Sequence, residues 1–196
     1  MTKLILMRHG NTFEEGQTPI QIGARTDLPL TPFGKRQAGQ MAEYMRKKRI
    51  EVSAIFAGGL KRQIETAKAI ADPLAIAVEQ VPVLNEIDYG LWEGLTPEQI
   101  VHGWPLEYAR WSASAEWQSA IFQGQAQEHV QNLQNWFLEL RQKFPTSTIL
   151  AVTSGGILRL LHSEKVKTGH FCEIDLGRDP MSIASWNQAP QVDRCT

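Results

Sequence analysis

The strongest constraint on the fold of this chain is a short apolar run near its beginning that ends in charged residues. Residues 4–7 are four consecutive apolar residues, and Arg8, His9 and Gly10 follow them directly. A continuous apolar run bounded by a glycine is typical of a strand that is buried on both faces. Ligands bind at the carboxyl ends of the strands in open α/β sheets, so Arg8 and His9 lie where a binding site is expected.

Segments with the patterns of strands and helices alternate along the rest of the chain. After a loop over residues 11–30, Thr31 is the predicted N-cap of a helix and Pro32 its first residue. Residues 163–178 are interpreted as irregular. The alternation predicts an α/β fold of three layers, α/β/α, with a mostly parallel central sheet in a single domain spanning residues 1–196. Further strands are predicted at 50–57, 81–84, 148–153 and 182–186, and further helices at 60–71, at 125–144 and from 156.

The predicted sheet brings four chain segments to one edge, because the carboxyl ends of parallel strands lie on the same side. We interpret the tryptophan-rich residues 94–124 as short helices that form a small helical cover over this edge. Because four segments with polar or glycine residues converge at this edge, we predict one site beneath the cover. The segments that meet there are Arg8 with His9, Gly58 with Gly59, residues 84–86, and Ser154 with Gly155.

The residue types at this edge suit a tetrahedral oxyanion. Arginine donates several hydrogen bonds in a fixed fork and stays charged, so Arg8 and Arg62, the latter near the start of the second predicted helix, fit a phosphate group. The neutral imidazole of His9 can attack phosphorus and form a phosphohistidine, which divides phosphoryl transfer into two easier steps. These residues predict phosphate chemistry at the end of the first strand.

A carboxyl group for proton transfer is predicted in the loop after the third strand. Such a group, placed beside the leaving oxygen, can protonate it and later activate water. Glu86 is the candidate, and Asp88 and Glu93 compete for the role. Aromatic surroundings and a bound phosphate would keep the acid protonated by desolvation and charge repulsion.

Taken together, these segments resemble the motifs of the histidine phosphatase superfamily, in its phosphoglycerate-mutase-like branch. The resemblance covers most of residues 3–162, and its motifs occur in the family's order. The matching stretches are Arg8-His9-Gly10-Asn11-Thr12, residues 28–38 (LPLTPFGKRQA), residues 60–67 around Arg62, and residues 84–94 around Glu86.

The resemblance implies a phosphoglycerate mutase-like fold and a site without a metal ion or cofactor. It implies that His9 carries the phosphoryl group, that Arg8 and Arg62 form the phosphate pocket, and that Glu86 donates the proton. The positions implied to bind the substrate are Gly10, Asn11, Thr12, Ser154 and Gly155.

The chain departs from the family pattern inside the predicted site. The family carries a second histidine in a Thr-His-Gly-Gly motif, whereas this chain has Thr153-Ser154-Gly155-Gly156. The Ser154 hydroxyl can cap the following helix or donate one neutral hydrogen bond to phosphate, and His162 or His170 is an alternative occupant of the gap. Since removing one transition-state donor typically costs about 10²–10³ in rate, a slow enzyme is predicted, and Ser154→His is expected to raise its activity. A smaller departure is Ala57-Gly58-Gly59, where the family usually has a Ser-Ser or Ser-Asp pair.

Composition argues against several other classes of function. The formal net charge is −1, with 20 Lys and Arg against 21 Asp and Glu, which speaks against a nucleic-acid binder that works by bulk charge. The two cysteines, Cys172 and Cys195, form no CxxC motif, so neither a disulfide framework nor a zinc site is expected and a reducing cytoplasm fits best. No stretch approaches the roughly 18–20 apolar residues of a membrane span.

The sequence therefore predicts a cytoplasmic, metal-independent phosphatase of a small phosphorylated metabolite, acting through His9 as a monomer or homodimer. Ser154 supports an alternative, a pseudoenzyme that binds a phosphorylated ligand or a protein partner without turning it over. A phosphoglycerate mutase is the lesser alternative, because the compact stretch at 94–124 is shorter than the insertion typical of the family's mutases.

Overall fold

The computed structural model describes residues 1–178 and 180–191, and the strands in this part of the chain form one six-stranded sheet. The strands are β1 (Lys3–Arg8), β2 (Ala54–Ala57), β3 (Val78–Gln80), β4 (Thr148–Thr153), β5 (Phe171–Asp175) and β6 (Ser182–Gln188). The neighbours β1 and β4, β2 and β4, and β2 and β3 are parallel, whereas β5 runs antiparallel to its two neighbours, β1 and β6. The order across the sheet is β3-β2-β4-β1-β5-β6. The mostly parallel sheet is therefore confirmed.

Helices cover both faces of this sheet. Successive side chains of β1 point to opposite faces, so that Leu4 and Leu6 join one apolar core and Ile5 and Met7 the other. The helices at 126–143 and 155–161 contribute to the first core, and the helices at 32–48 and 61–71 contribute to the second, which gives the expected three layers. The helices are α1 (Pro32–Lys48), α2 (Lys61–Ala71), α3 (Pro97–Gly103), α4 (Pro105–Ser114), α5 (Ala126–Lys143) and α6 (Gly155–Leu161). None of them, in the part of the chain that is described, is both long and apolar enough to cross a membrane.

Two stretches differ from the sequence prediction. Residues 81–84 were expected to form a strand, but Pro82–Leu84 is a 3₁₀ turn and the strand is β3, just before it. Pro82 has no N–H to donate to a strand ladder, so the strand ends ahead of it. The stretch 163–178, expected to be irregular, contains β5, which pairs antiparallel with β1. Glu173 and Asp175 alternate with apolar residues, so this strand has one polar side and lacks the continuous apolar run of a buried strand.

Residues 94–124 carry α3 and α4 and end in an aromatic cluster centred on Phe122. The ring of Phe122 meets four aromatic rings edge-on, with centroids 5.0–5.3 Å apart. Each such pair contributes about 0.5–1.5 kcal/mol beyond its buried area. The cluster therefore anchors this stretch against the loop that follows β3. The four partners of Phe122 are Tyr89, Trp92, Trp111 and Trp117.

Candidate active site

The predicted segments meet at the carboxyl edge of the parallel strands. Arg8 at the end of β1 stands opposite Thr153 at the end of β4, and the His9 backbone N–H donates to the Thr153 carbonyl at 3.0 Å. Gly58, just after β2, donates to the Val152 carbonyl at 3.2 Å. The Thr153 hydroxyl donates to the Leu84 carbonyl at 2.7 Å, which adds the segment 84–86, so the four segments meet at this edge.

His9 is held in a single tautomer by its two ring contacts. Nδ1 lies 2.8 Å from the Gly10 carbonyl oxygen, which can only accept, so Nδ1 carries the proton. Nε2 lies 3.2 Å from Nε of Arg62, which can only donate, so Nε2 carries the lone pair. Burial and the charges of Arg8 and Arg62 hold the pKa of His9 well below its usual 6.5. At neutral pH His9 is therefore an uncharged imidazole with its lone pair on Nε2.

Arg62 is fully buried in the first turn of α2 and its guanidinium is fixed on three sides. Besides its contact with His9, Nη1 donates to the Thr26 carbonyl at 2.7 Å and Nη2 donates to the Gly23 carbonyl at 3.0 Å. Burial lowers the pKa of Arg62, although the charge of Glu86 opposes this. The positive charge beside His9 is thus fixed in position before any ligand binds.

The loop that supplies these carbonyls is braced by Glu93. Its Oε1 accepts hydrogen bonds from the backbone N–H groups of Gly23, at 3.2 Å, and Arg25, at 2.7 Å. Its Oε2 lies 3.1 Å from Nε of Arg25, and Asp88 bonds the same nitrogen at 3.1 Å. Both acids that compete with Glu86 are therefore engaged with this loop. The sequence alone does not predict this role of Arg25, because its contacts join residues more than 60 positions apart.

We expect Glu93→Gln to reduce kcat although Glu93 does not touch the reacting atoms. The amide that replaces Oε2 would direct a donor at Arg25 Nε, so the loop shifts and Arg62 loses its position. Since small misplacements of catalytic groups can lower rates up to about 10²-fold, we expect a loss of roughly tenfold or more. Steady-state hydrolysis of p-nitrophenyl phosphate measures this loss. Glu98→Gln, at an exposed acid of α3, is the matched control, and equal rates for the two variants would contradict the role of Glu93.

Glu86 is buried and accepts two backbone hydrogen bonds. Its Oε1 accepts from Ile87 N at 2.9 Å and its Oε2 from Gly156 N at 3.1 Å. Burial raises its pKa above the usual 4.5, although the charge of Arg62 acts in the opposite direction. A Cβ atom at Gly156 would overlap Oε1 of Glu86 and lie 2.6 Å from the Tyr89 hydroxyl, so only glycine leaves room for the acid. The site can therefore hold a protonated carboxyl group.

Arg8 has a buried N–H that is free to bind an anion. Its Nη1 donates to the Val166 carbonyl at 2.7 Å, whereas its Nε is buried and has no hydrogen-bond partner within the described residues. A Cβ atom at Gly155 would come within 3.2 Å of the guanidinium carbon. The two glycines after Ser154 thus make space for Arg8 and Glu86 respectively, which is a physical reason for the Gly-Gly pair.

The side chain of Ser154 does not cap α6, although Ser154 occupies the N-cap position. Its side chain makes no bond to the helix backbone, and instead its fully buried Oγ accepts a hydrogen bond from Nε2 of Gln63 at 2.8 Å. The same Gln63 nitrogen donates to the Leu84 carbonyl at 2.8 Å. A Cβ atom at Gly58 would overlap Oε1 of Gln63, so the glycine that departs from the family pattern leaves room for this amide. Because Oγ accepts from Gln63, the Ser154 hydroxyl hydrogen is left to be donated elsewhere.

The two distant histidines are held outside the gap beside Ser154. The His162 ring packs against Trp186 at a tilt of 44°, with the centroids 5.0 Å apart. Nδ1 of His170 lies 3.0 Å from the Asn187 carbonyl oxygen. Both contacts direct the imidazoles toward β6, so neither ring takes the place of the family's second histidine.

The remaining predicted substrate-binding residues support the loop after His9. A Cβ atom at Gly10 would overlap the Gly34 carbonyl oxygen, so Gly10 permits close packing on α1. The Asn11 side chain donates to the Phe13 carbonyl within its own loop. Thr12 is buried and lines a cavity of about 530 Å³ in the loop over residues 12–31. Gly10 and Asn11 therefore shape the loop after His9 through contacts with other protein groups.

Residues with metal-binding chemistry are dispersed. Within residues 1–178 and 180–191, no three His, Cys, Asp or Glu side chains are grouped so that they could hold a metal ion. Cys172 is buried in β5, where burial raises the pKa of its thiol to about 11. Cys195 lies outside the described residues.

Comparison with known proteins is consistent with this geometry. A family model described as the histidine phosphatase superfamily (branch 1) matches residues 4–187. Phosphoserine phosphatase 1 of Hydrogenobacter thermophilus is 30% identical over 165 residues, which are 83% of this chain and 75% of that protein. Human 6-phosphofructo-2-kinase/fructose-2,6-bisphosphatase 4 is 30% identical over 159 residues, 81% of this chain, which spans only 31% of that longer protein. Among solved structures, YhfR of Bacillus stearothermophilus has a TM-score of 0.81 at 22% identity, covering 97% of this chain and 100% of that one.

Proposed function

Because this chain belongs to the histidine phosphatase superfamily, branch 1, we propose that it is a phosphomonoesterase that hydrolyses a small phosphorylated metabolite through a phosphohistidine on His9. The observation that carries the proposal is the unprotonated Nε2 of His9, fixed beside the buried guanidinium of Arg62. The two curated relatives are named for small phosphorylated compounds, phosphoserine and fructose 2,6-bisphosphate, which supports a substrate of this class.

In the first step, Nε of Arg62 transfers its hydrogen bond from His9 to a phosphoryl oxygen, which frees the lone pair of Nε2. Nε2 then forms a bond to phosphorus while the bond from phosphorus to the leaving oxygen breaks. Glu86 gives its proton to that oxygen, and the alcohol departs. The charge on the phosphoryl oxygens is stabilised by Nε of Arg8 and by Arg62. The Gly10 carbonyl stabilises the ring as it becomes positive, because it accepts the Nδ1 proton in a hydrogen bond.

In the second step, Glu86 takes a proton from a water molecule whose oxygen attacks phosphorus. The bond from phosphorus to Nε2 breaks, which releases inorganic phosphate and restores neutral His9 and protonated Glu86. Where the family has a second histidine, this site has only the neutral hydroxyl of Ser154 as a donor. We therefore propose that turnover is slower than in relatives with that histidine, by about 10²–10³.

Trapping the phosphorylated protein tests the proposal directly. The enzyme is mixed with p-nitrophenyl phosphate and quenched in alkaline denaturant, since a phosphorus–nitrogen bond is labile in acid. Peptide mass spectrometry is expected to find one phosphoryl group on His9. A phosphoryl group on another residue, or hydrolysis that leaves no phosphorylated peptide under single-turnover conditions, would contradict it.

A second candidate function is a pseudoenzyme that binds a phosphorylated ligand or protein partner. The hydrogen bond between Ser154 and Gln63 favours it, because an uncharged pair stands at the position where the family has its second histidine. Under this alternative, inorganic phosphate would bind at Arg8 and Arg62 and raise the melting temperature. No phosphohistidine would accumulate.

The structure changes the expected effect of restoring the histidine. In Ser154→His alone, the imidazole must displace the Gln63 amide, which also accepts from Leu60 N and donates to the Leu84 carbonyl. We expect no gain in activity from this variant and a loss of about 1–3 kcal/mol in stability from overpacking. In Gln63→Ala/Ser154→His the ring has room, and kcat is expected to rise about 10²-fold.

Hydrolysis of p-nitrophenyl phosphate and thermal melts of the single and double variants measure both effects. Gln63→Ala alone is the control for the loss of the amide. A double variant no faster than the unmodified protein would favour the binding function over the enzyme.

A further inference from the structure

A cavity of about 190 Å³ adjoins the candidate active site and is lined by cations. Arg8 borders it on the side of His9, and Arg159 and Lys165 supply two further positive charges. None of its lining residues is acidic. The volume is below the roughly 300–1,000 Å³ of pockets for drug-sized ligands, so it suits a small polar group.

Arg159 is built into this cavity rather than exposed on the surface. It is 6% exposed, its guanidinium stacks over Trp111 at 4.6 Å, and Nη2 donates to the Ser112 carbonyl at 3.1 Å. Its Nε and Nη1 are buried without a hydrogen-bond partner in the described part of the chain. A buried charged group with unsatisfied donors is strongly unfavourable, so these N–H groups call for an anionic acceptor.

Other groups around the cavity repeat this pattern. Nε of Arg8 and Oγ of Ser112 are also buried and unpartnered among the described residues. Partial burial and the positive charges of Arg159 and Arg8 lower the pKa of Lys165, so like charges are gathered here. Tyr89 and Lys165 are titratable neighbours of Arg159, and neither of them is a carboxylate. A bound anion would satisfy Arg159 and Ser112 together, whereas Nε of Arg8 is left for the reacting phosphoryl group.

We propose that this cavity binds a second anionic group of the substrate, a carboxylate or a second phosphoryl group, while the reacting phosphoryl group lies at His9. The assignment rests on the proposed function for the position of the reacting group, and Arg8 lies between the two anions. Trp111 and Ser112 belong to α4, so the residue 94–124 stretch would select substrates by their second charge.

Binding of matched ligands tests the subsite without requiring turnover. Calorimetry on the His9→Ala variant compares glycerol 3-phosphate with 3-phosphoglycerate, and fructose 6-phosphate with fructose 2,6-bisphosphate, so two lengths are sampled. We expect the ligand with the second anion to bind at least about tenfold more tightly in one or both pairs, since one charge-assisted hydrogen bond supplies this factor. Carboxylate and phosphoryl preferences are separated by which pair responds.

Substitution of the cations shows whether the preference comes from this cavity. Arg159→Met keeps an apolar contact with Trp111 and removes the charge, and the preference for the second anion is expected to fall about tenfold. Lys165→Met, at an exposed residue that threatens the fold less, is expected to reduce it several-fold. Lys167→Met removes an exposed charge two positions away and outside the cavity lining, and serves as the control.

The outcomes separate the two proposals. Equal binding within both pairs, or a preference that survives both substitutions, would overturn the subsite while leaving the phosphatase proposal intact. A preference that disappears in Arg159→Met would support the subsite. If the unmodified protein also hydrolyses none of these esters, the phosphatase proposal is contradicted while the subsite stands. Failure of every ester to bind would overturn both.

Discussion

Replacing His9 by alanine is expected to remove hydrolysis of p-nitrophenyl phosphate, with kcat reduced at least about 10³-fold. The variant lacks the imidazole nitrogen whose lone pair faces Nε of the buried Arg62. Water would have to attack the substrate directly, without the two-step route. Continuous release of nitrophenol, followed to the detection limit of the assay, measures the effect.

The control for His9→Ala is His102→Ala, at an exposed histidine of α3. His9→Ala also leaves Nε of Arg62 buried without its partner, which is expected to cost about 1–3 kcal/mol of stability. Inorganic phosphate should still raise the melting temperature of the variant, because Arg8 and Arg62 remain. A His9→Ala protein with the unmodified rate would exclude the phosphohistidine route.

Replacing Glu86 by glutamine is expected to lower kcat by about 10²–10⁴-fold for alkyl phosphates, whose leaving oxygen needs a proton. The loss should be smaller for p-nitrophenyl phosphate, since nitrophenolate departs without full protonation. Comparing the two substrate types on the same enzyme preparations measures this difference. An equal loss on both would contradict the role of Glu86 as the proton donor.

The same variant should change the dependence of the rate on pH. The active form needs neutral His9, whose pKa is held well below 6.5, and protonated Glu86, whose pKa burial raises above 4.5. The rate of the unmodified enzyme should therefore fall as pH rises through the raised pKa of Glu86. In Glu86→Gln this alkaline decline should disappear from the residual rate.

The free energy of unfolding should also depend on pH through Glu86, and it should fall as pH rises. Since the folded-state pKa of Glu86 lies above its unfolded value, the stability linked to its protonation is fully present below the unfolded pKa and is lost as pH rises through the folded one. Glu86→Gln should therefore melt higher than the unmodified protein above that window, and the difference should shrink below it. Thermal melts across pH, with Glu98→Gln as control, test this, and a difference independent of pH would contradict it.

Local sequence patterns were enough to predict the framework of this protein. The apolar run of β1 leads directly to Arg8 and His9, and Thr31 with Pro32 starts α1, where the Thr31 side chain accepts from Gly34 N. Burial periodicity and helix capping depend on residues within a few positions of one another, so they can be read along the chain. The order of the strands then places His9 and Ser154 at one edge.

Only the tertiary structure decided how the site is completed. Gln63 reaches Ser154 across 91 positions, and Arg62 sets the tautomer of His9 across 53. The stacking of Arg159 on Trp111 likewise joins α6 to α4. Hydrogen bonds and shared volume between distant segments leave no local periodicity, so the serine beside His9 could be read from the sequence, whereas the glutamine that fills the space around it could not.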